Sequence, residues 1–142
     1  MADQKALARR FYDEFVNAGD TAVLDELLAD DFVEHAALPG MDAEGRDAVL
    51  GWFSMVRAGF PDVHMEIEDM VSEGDRLVVR ARMTGTHMGE FMGIPPTERR
   101  IDVEMIDMVR ITGDGRAAEH WGFADDLGML RQLGAQPEAT QA

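Results

Sequence analysis

Hydrophobic and polar positions follow two different periods along the chain, and the change between them falls near Pro61. Before it, Leu7, Phe11 and Phe15 recur every fourth residue with Ala8 and Tyr12 alongside. This predicts an amphipathic helix over 3–18, closed by Asn17-Ala18-Gly19. Asp20 or Thr21 then caps a short second helix carrying Val23, Leu24, Leu27 and Leu28. Residues 30–35 read as a short extended piece, and Leu38 to Gly45 as a loop containing Pro39 and Gly40. A third helix covers about 45–59, with Val49, Leu50, Trp52, Phe53 and Val56 apolar, and Gly59 and Pro61 stop it.

After Pro61 the period is two. Val63, Met65 and Ile67 alternate with His64, Glu66 and Glu68, and a turn follows at 72–75. Leu77, Val79, Ala81 and Met83 then alternate with Val78, Arg80, Arg82 and Thr84 in a long strand to about residue 87. A Gly- and Pro-rich connection, 88–98, leads to strands at 100–111 and 116–123, joined by ThrGlyAspGly at 112–115. A last helix runs from about 125 to 133, with Asp125 and Asp126 at its capping end. Helices first and an antiparallel meander after them predict an α+β fold: a cone-shaped barrel formed by a strongly curved antiparallel sheet. Three N-terminal helices cover its concave face, and a short helix ends it. Residues 1–134 are expected to form one domain and 135–142 a frayed tail. Such a cone encloses a ligand pocket.

The last hairpin supplies a geometry. With the turn at 112–115, Ile111 faces Arg116, Val109 faces Ala118, Asp107 faces His120 and Met105 faces Gly122. That face is apolar apart from one Asp opposite one His. The pair reads either as proton-transfer chemistry, with Asp107 raising the His120 pKa and fixing its tautomer, or as a buried polar pair that satisfies itself. The other face carries Ile106, Met108, Trp121 and Phe123 among charges, which suits a partner subunit. A homodimer through that face is expected, the alternative being a Trp121 covered by the chain's own tail.

Composition narrows the chemistry. The chain has 142 residues, 46% of them hydrophobic, and no cysteine. Disulfides, thiolate catalysis and Cys-ligated metals are excluded. No two of His35, His64, His87 and His120 have helical metal-ligand spacing, so no metal is expected unless His120, Asp107 and His35 or His87 converge. The net charge of −15 argues against nucleic acid as a partner. Lys5 is the only lysine among 13 basic residues. So acidic a surface fits a salt-rich, halophilic cytoplasm, or a genome with an acidic bias. No apolar run approaches a membrane span, and the charged N-terminus does not read as a signal peptide. A cytoplasmic protein without membrane contact is expected.

Several stretches together resemble one family: FVEHAALPG with GRDAVLGWF, FPD at 60–62, TGTHMGEFMGIPPTERR (84–100), MIDMVRITGDGRAAEHWG (105–122) and DDLGMLRQLG (125–134). The chain resembles the SnoaL-like polyketide cyclases, also called ester cyclases, of the nuclear transport factor 2-like superfamily. The resemblance implies a cone-shaped α+β fold. It also implies cofactor-free intramolecular aldol chemistry, with an Asp near the end of the last long strand as acid and base and a His on the preceding strand assisting. This sequence departs at both positions, with Gly122 at the expected Asp and Asp107 at the expected His. Asp107 and His120 therefore read as a relocated dyad.

Other candidates surround it. Glu34 and His35 follow the second helix, where the resemblance places the pocket mouth, and read as ligand contacts or as a surface terminus. His87 in GTHMG reads as a ligand contact or as a structural support of the Gly-rich connection, and His64 as exposed. Trp52, Met83, Met105 and Gly122 are expected to line the pocket, Trp52 alternatively packing as core, and Tyr12 either lends a hydroxyl or packs. The expected function is a cofactor-independent enzyme doing aldol cyclisation, isomerisation or hydrolysis on a small apolar carbonyl compound. A non-catalytic protein that binds a hydrophobic ligand is the alternative.

Overall fold

A computed structural model describes residues 3–36 and 42–135. Half of the expected 38–45 loop, and all but the first residue of the expected tail, lie outside the described residues. The first helix, α1, begins at Gln4–Arg10, where the Asp3 carboxylate accepts from the backbone N–H groups of Lys5 and Ala6. It continues as a π-helical segment, Phe11–Asn17, which the four-residue spacing did not announce. The wider turn buries Tyr12, Phe15 and Val16 together. A short turn at Thr21–Val23, capped by Asp20, leads into α2, Leu24–Leu27. Helix α3 is Gly45–Gly59 and α4 is Asp126–Leu133. Asp125 caps α4, and Gly134 ends it in the left-handed conformation. Among the described residues no helix is long and apolar enough to cross a membrane.

Five strands form one sheet: β1 (Leu28–Glu34), β2 (His64–Glu73), β3 (Arg76–Thr86), β4 (Arg100–Ile111) and β5 (Ala117–Ala124). Their spatial order is β1-β5-β4-β3-β2. β2 to β5 form the expected antiparallel meander. The short extended piece is more than a connector: it is a full edge strand, parallel to β5. Parallel pairing joins residues far apart in the chain, and no local turn chemistry signals it. Among the described residues β1 and β2 stand at the two ends of that order and do not pair with each other, so the sheet is a curved, open cone rather than a closed barrel.

The β4–β5 register differs from the expected one by two residues, in two single steps. The Thr112 N–H donates to the Arg116 carbonyl at 2.8 Å, which shortens the turn to Gly113-Asp114-Gly115 and moves the pairing by one. A bulge then leaves Ala118 unpaired between the Arg110–Glu119 and Ile111–Ala117 pairs and moves it by one more. A single step would have reversed the faces, and two steps restore them. Met105, Asp107, Val109, His120 and Gly122 therefore remain on the concave side, but Asp107 pairs with Gly122 and Val109 with His120.

One side chain binds the helix layer to the sheet, and a second ties α3 to the end of the first helix. The Asn17 amide accepts from the Met65 N–H at 2.7 Å and donates to the Met65 carbonyl at 2.9 Å. The Arg57 guanidinium on α3 donates to the Phe15 and Val16 carbonyls at 2.6 and 2.8 Å, which satisfies the π-helical end of α1. Below them Phe15, Leu24, Val56, Phe60 and Ile101 are fully buried. Asn17→Ala leaves both Met65 backbone groups without their partner and is expected to cost about 1–3 kcal/mol. Urea unfolding of the two proteins side by side measures this, and an unchanged midpoint would show that Asn17 does not anchor the helix.

Candidate functional site

A cavity of about 400 Å³ lies between the helices and the concave face. Leu7 and Phe11 of α1, Trp52 and Phe53 of α3, and Met65, Val79, Met105 and Val109 of the sheet form its apolar walls. Tyr12, Glu34, Asp107 and His120 also line it, and they are joined in one hydrogen-bonded chain. The Tyr12 hydroxyl donates to Asp107 Oδ2 at 2.6 Å. Asp107 Oδ1 lies 2.8 Å from His120 Nε2, and His120 Nδ1 lies 2.6 Å from Glu34 Oε1. The Ala36 N–H donates to that same Glu34 oxygen at 3.0 Å.

Backbone geometry explains how these groups meet. Glu34 and His120 are direct partners in the parallel β1–β5 pairing, so their side chains lie side by side. Asp107 is diagonal to His120, and the residue directly opposite it is Gly122. A β-carbon at 122 would stand 2.7 Å from Asp107 Oδ1 and 2.9 Å from His120 Cε1. The missing side chain is therefore what lets the imidazole reach across to Asp107.

The charge state follows. Burial alone would lower the His120 pKa, but the hydrogen bonds to Asp107 and Glu34 and their negative charges outweigh it and raise the value to about 10. The ring is an imidazolium at neutral pH and donates through both nitrogens. Burial, then the Asp107 charge and the hydrogen bond to it, hold the Tyr12 phenol well above its ordinary range, so it stays neutral.

Of the residues picked out in the sequence, Glu34, His35, Trp52, Met105, Asp107, His120 and Gly122 all line the cavity. The structure brings Asp107 and His120 together as a pair, though diagonally rather than face to face. Met83 and His87 lie elsewhere. Met83 is 2% exposed and packed in the core, while Met65, its partner on β2, reaches the cavity. His87 is completely buried, with its ring 5.3 Å from that of Phe60. The Thr97 N–H donates to His87 Nδ1, so His87 supports the 88–98 connection from beneath. His87 does not line the cavity that holds His120, and the His35 ring, which does, is engaged otherwise: it stacks on Trp121 at 4.8 Å and donates to Glu119 Oε2 at 2.7 Å. Among the described residues no three such side chains converge as metal ligands.

Trp121 lies between that His35 ring and the Arg76 guanidinium, 5.0 Å away, so these two side chains cover part of it, while the tail named as the alternative cover lies outside the described residues. One role escaped sequence reasoning: Glu34 is the second carboxylate on His120, hidden because β1 had no visible partner. Of the two roles expected for Tyr12, the structure shows the hydroxyl lent to the cavity, as the hydrogen-bond donor to Asp107.

Two outcomes test this geometry. Gly122→Ala forces Asp107 and His120 apart and is expected to cost about 1–3 kcal/mol, the loss of a charge-assisted hydrogen bond in a mostly buried site. The folded His120 pKa exceeds its unfolded value of 6.5. Its stabilisation is therefore complete below about pH 6.5 and lost as pH rises toward 10. Urea midpoints should fall across that window in the parent protein and fall less in His120→Gln. Equal slopes would show that His120 does not carry this dependence.

Residues 6–133 match the family described as SnoaL-like polyketide cyclase. The nogalonic acid methyl ester cyclase of Streptomyces nogalater is 33% identical over 120 residues, which cover 83% of this chain and 88% of the relative. The aklanonic acid methyl ester cyclase DnrD of Streptomyces peucetius is 29% identical over 136 residues, 94% and 92% of the two chains. The crystal structure of IdmH from Streptomyces antibioticus superimposes with a TM-score of 0.82 at 37% identity, covering 93% of this chain and 99% of that one. With its curved α+β sheet and matching sequence over nearly its whole length, this chain belongs to the SnoaL-like polyketide cyclase family.

Proposed function

We propose that this protein is a cofactor-independent cyclase-type enzyme that performs acid–base chemistry on a small, apolar carbonyl compound held in the cone cavity. Family membership supports cyclase- or isomerase-type chemistry. The observation that carries the finer reading is the Tyr12–Asp107–His120–Glu34 chain at one pole of an otherwise apolar cavity. An apolar wall binds the ligand skeleton and weakens the competition of water for the polar groups. A fixed carboxylate–imidazolium pair then presents charge where an enolate or alkoxide would develop. Aldol cyclisation, isomerisation and hydrolysis of a carbonyl compound can all use that arrangement.

A second reading, a non-catalytic hydrophobic binder, is favoured by one observation: Gly122 stands where the resemblance expects the acid. The nogalonic and aklanonic acid methyl esters named for the relatives are suitable probes. Purified protein should cyclise at least one of them in the presence of EDTA. Asp107→Asn and His120→Ala should each lower turnover by at least about tenfold, since each breaks the hydrogen-bonded chain that fixes the acid–base groups and misplacement alone can cost about 10²-fold. Binding of both esters without turnover would favour the binder, and unchanged turnover in both variants would remove the dyad from the chemistry.

The outer sheet face supports a homodimer. Val71, Val78, Met108 and Trp121 are successive partners across four strands, and Ile106 pairs with Phe123 beside them. Ile106 is 50% exposed and Phe123 82%. This continuous apolar row among charges is the surface we assign to a second copy. Sedimentation should give a dimer for the parent protein and a monomer for the Ile106→Glu, Phe123→Glu double variant. A monomeric parent would refute the assignment.

A further inference from the structure

The four-group chain contains two carboxylates, and their hydrogen-bonding positions are not equally occupied. Both Asp107 oxygens are taken, Oδ2 by the Tyr12 hydroxyl and Oδ1 by His120 Nε2. Both His120 N–H groups are spent, one on each carboxylate. The Tyr12 proton is spent on Asp107. Glu34 differs. Its Oε1 receives both His120 Nδ1–H and the Ala36 N–H, while Oε2 has no hydrogen-bond partner among the described residues. The Glu34 side chain keeps 11% of its surface exposed. Glu34 itself lines the cavity.

The charges follow the same asymmetry. One imidazolium serves two carboxylates, so the cluster keeps one net negative charge. Asp107 has a donor on each oxygen. Glu34 has both of its donors on one oxygen, and the uncompensated charge falls on the other. A group that must take a proton from a ligand needs an oxygen that is both charged and unoccupied. In this cluster only Glu34 Oε2 meets both conditions.

We infer that Glu34, the last residue of β1, is the group that exchanges protons with the bound carbonyl compound. Asp107 and His120 are positioning residues that hold it. The inference rests on the acid–base reading above and names the acceptor within it. Where the resemblance expects an acid on β5 at position 122, the open acid instead comes from the neighbouring strand. Gly122 helps by leaving His120 free to bridge the two carboxylates. In the reaction, a C–H bond next to the carbonyl breaks, the proton goes to Oε2, and the electron pair stays on the ligand as an enolate. If the enolate carbon then bonds to a second carbonyl of the same molecule, that oxygen recovers the proton from Glu34. The carboxylate is regenerated, and no oxidant, reductant or co-reactant is consumed.

Exchange of the α-hydrogens of 2-tetralone in D2O, followed by proton NMR across pH, tests this directly. The parent protein should accelerate exchange over buffer. Glu34→Gln, which keeps an oxygen to accept from His120, should lose about 10²-fold or more of that acceleration. Glu34→Asp, with a carboxylate on a shorter arm, should recover part of it, which separates chemistry from misfolding. Asp107→Asn should be slower but keep part of the acceleration. If Glu34→Gln retains the acceleration and Asp107→Asn abolishes it, Asp107 is the acceptor and this inference alone falls. If the parent protein gives no acceleration, the acid–base reading falls with it.

Discussion

A single positive charge on His120 is shared by carboxylates from the strands on either side, Asp107 of β4 and Glu34 of β1, and the polar pole of the cavity is organised around it. Without that charge, two acids would face each other in a largely apolar space, at a high desolvation cost. With it, each acid has a hydrogen-bonded partner, and the Tyr12 hydroxyl ties the helix layer into the same chain. Three strands and one helix thereby converge on four side chains.

Several otherwise unrelated features are conditions for this contact. β1 must pair in parallel with β5 to set Glu34 beside His120. The bulge at Ala118 must add its single residue, because the shortened turn alone would have turned His120 to the outer face. Residue 122 must lack a side chain. The π-helical segment, fixed by Asn17 and Arg57, must turn Tyr12 inward. Gly122 thus has two sides: it removes the acid the family resemblance leads one to expect, and it opens the space in which a different set of acids is assembled.

Much of the fold was legible in the chain because it rests on local periodicity. The amphipathic stripe of α1, the alternation from Val63 onward, the caps at Asp20 and Asp125 and the stop at Gly59 are all local signals, and the structure follows them. The concave face was legible for the same reason, since a strand's alternation survives an even slip in register. What stayed hidden was non-local or cooperative. No residue in Leu28–Glu34 announces a parallel partner almost ninety residues later. The one-residue bulge leaves no strong mark in Ala117-Ala118, and a π-helical turn looks like an α-helical one at four-residue spacing. Met83 and Met65 carry the same inward signal, and only the curvature of the sheet decides that Met65 meets the cavity while Met83 meets the core. His87 was ambiguous because a buried histidine in a Gly-rich connection has the same sequence whether it touches a ligand or a backbone.

The central claim is that His120 is a doubly donating imidazolium held between two carboxylates. Nitrogen-15 NMR of the histidine rings at pH 8 tests it most directly, because protonated and unprotonated ring nitrogens resonate far apart. With a pKa raised to about 10, both His120 nitrogens should appear protonated at that pH. A His120 ring with one unprotonated nitrogen at pH 8 would contradict the account.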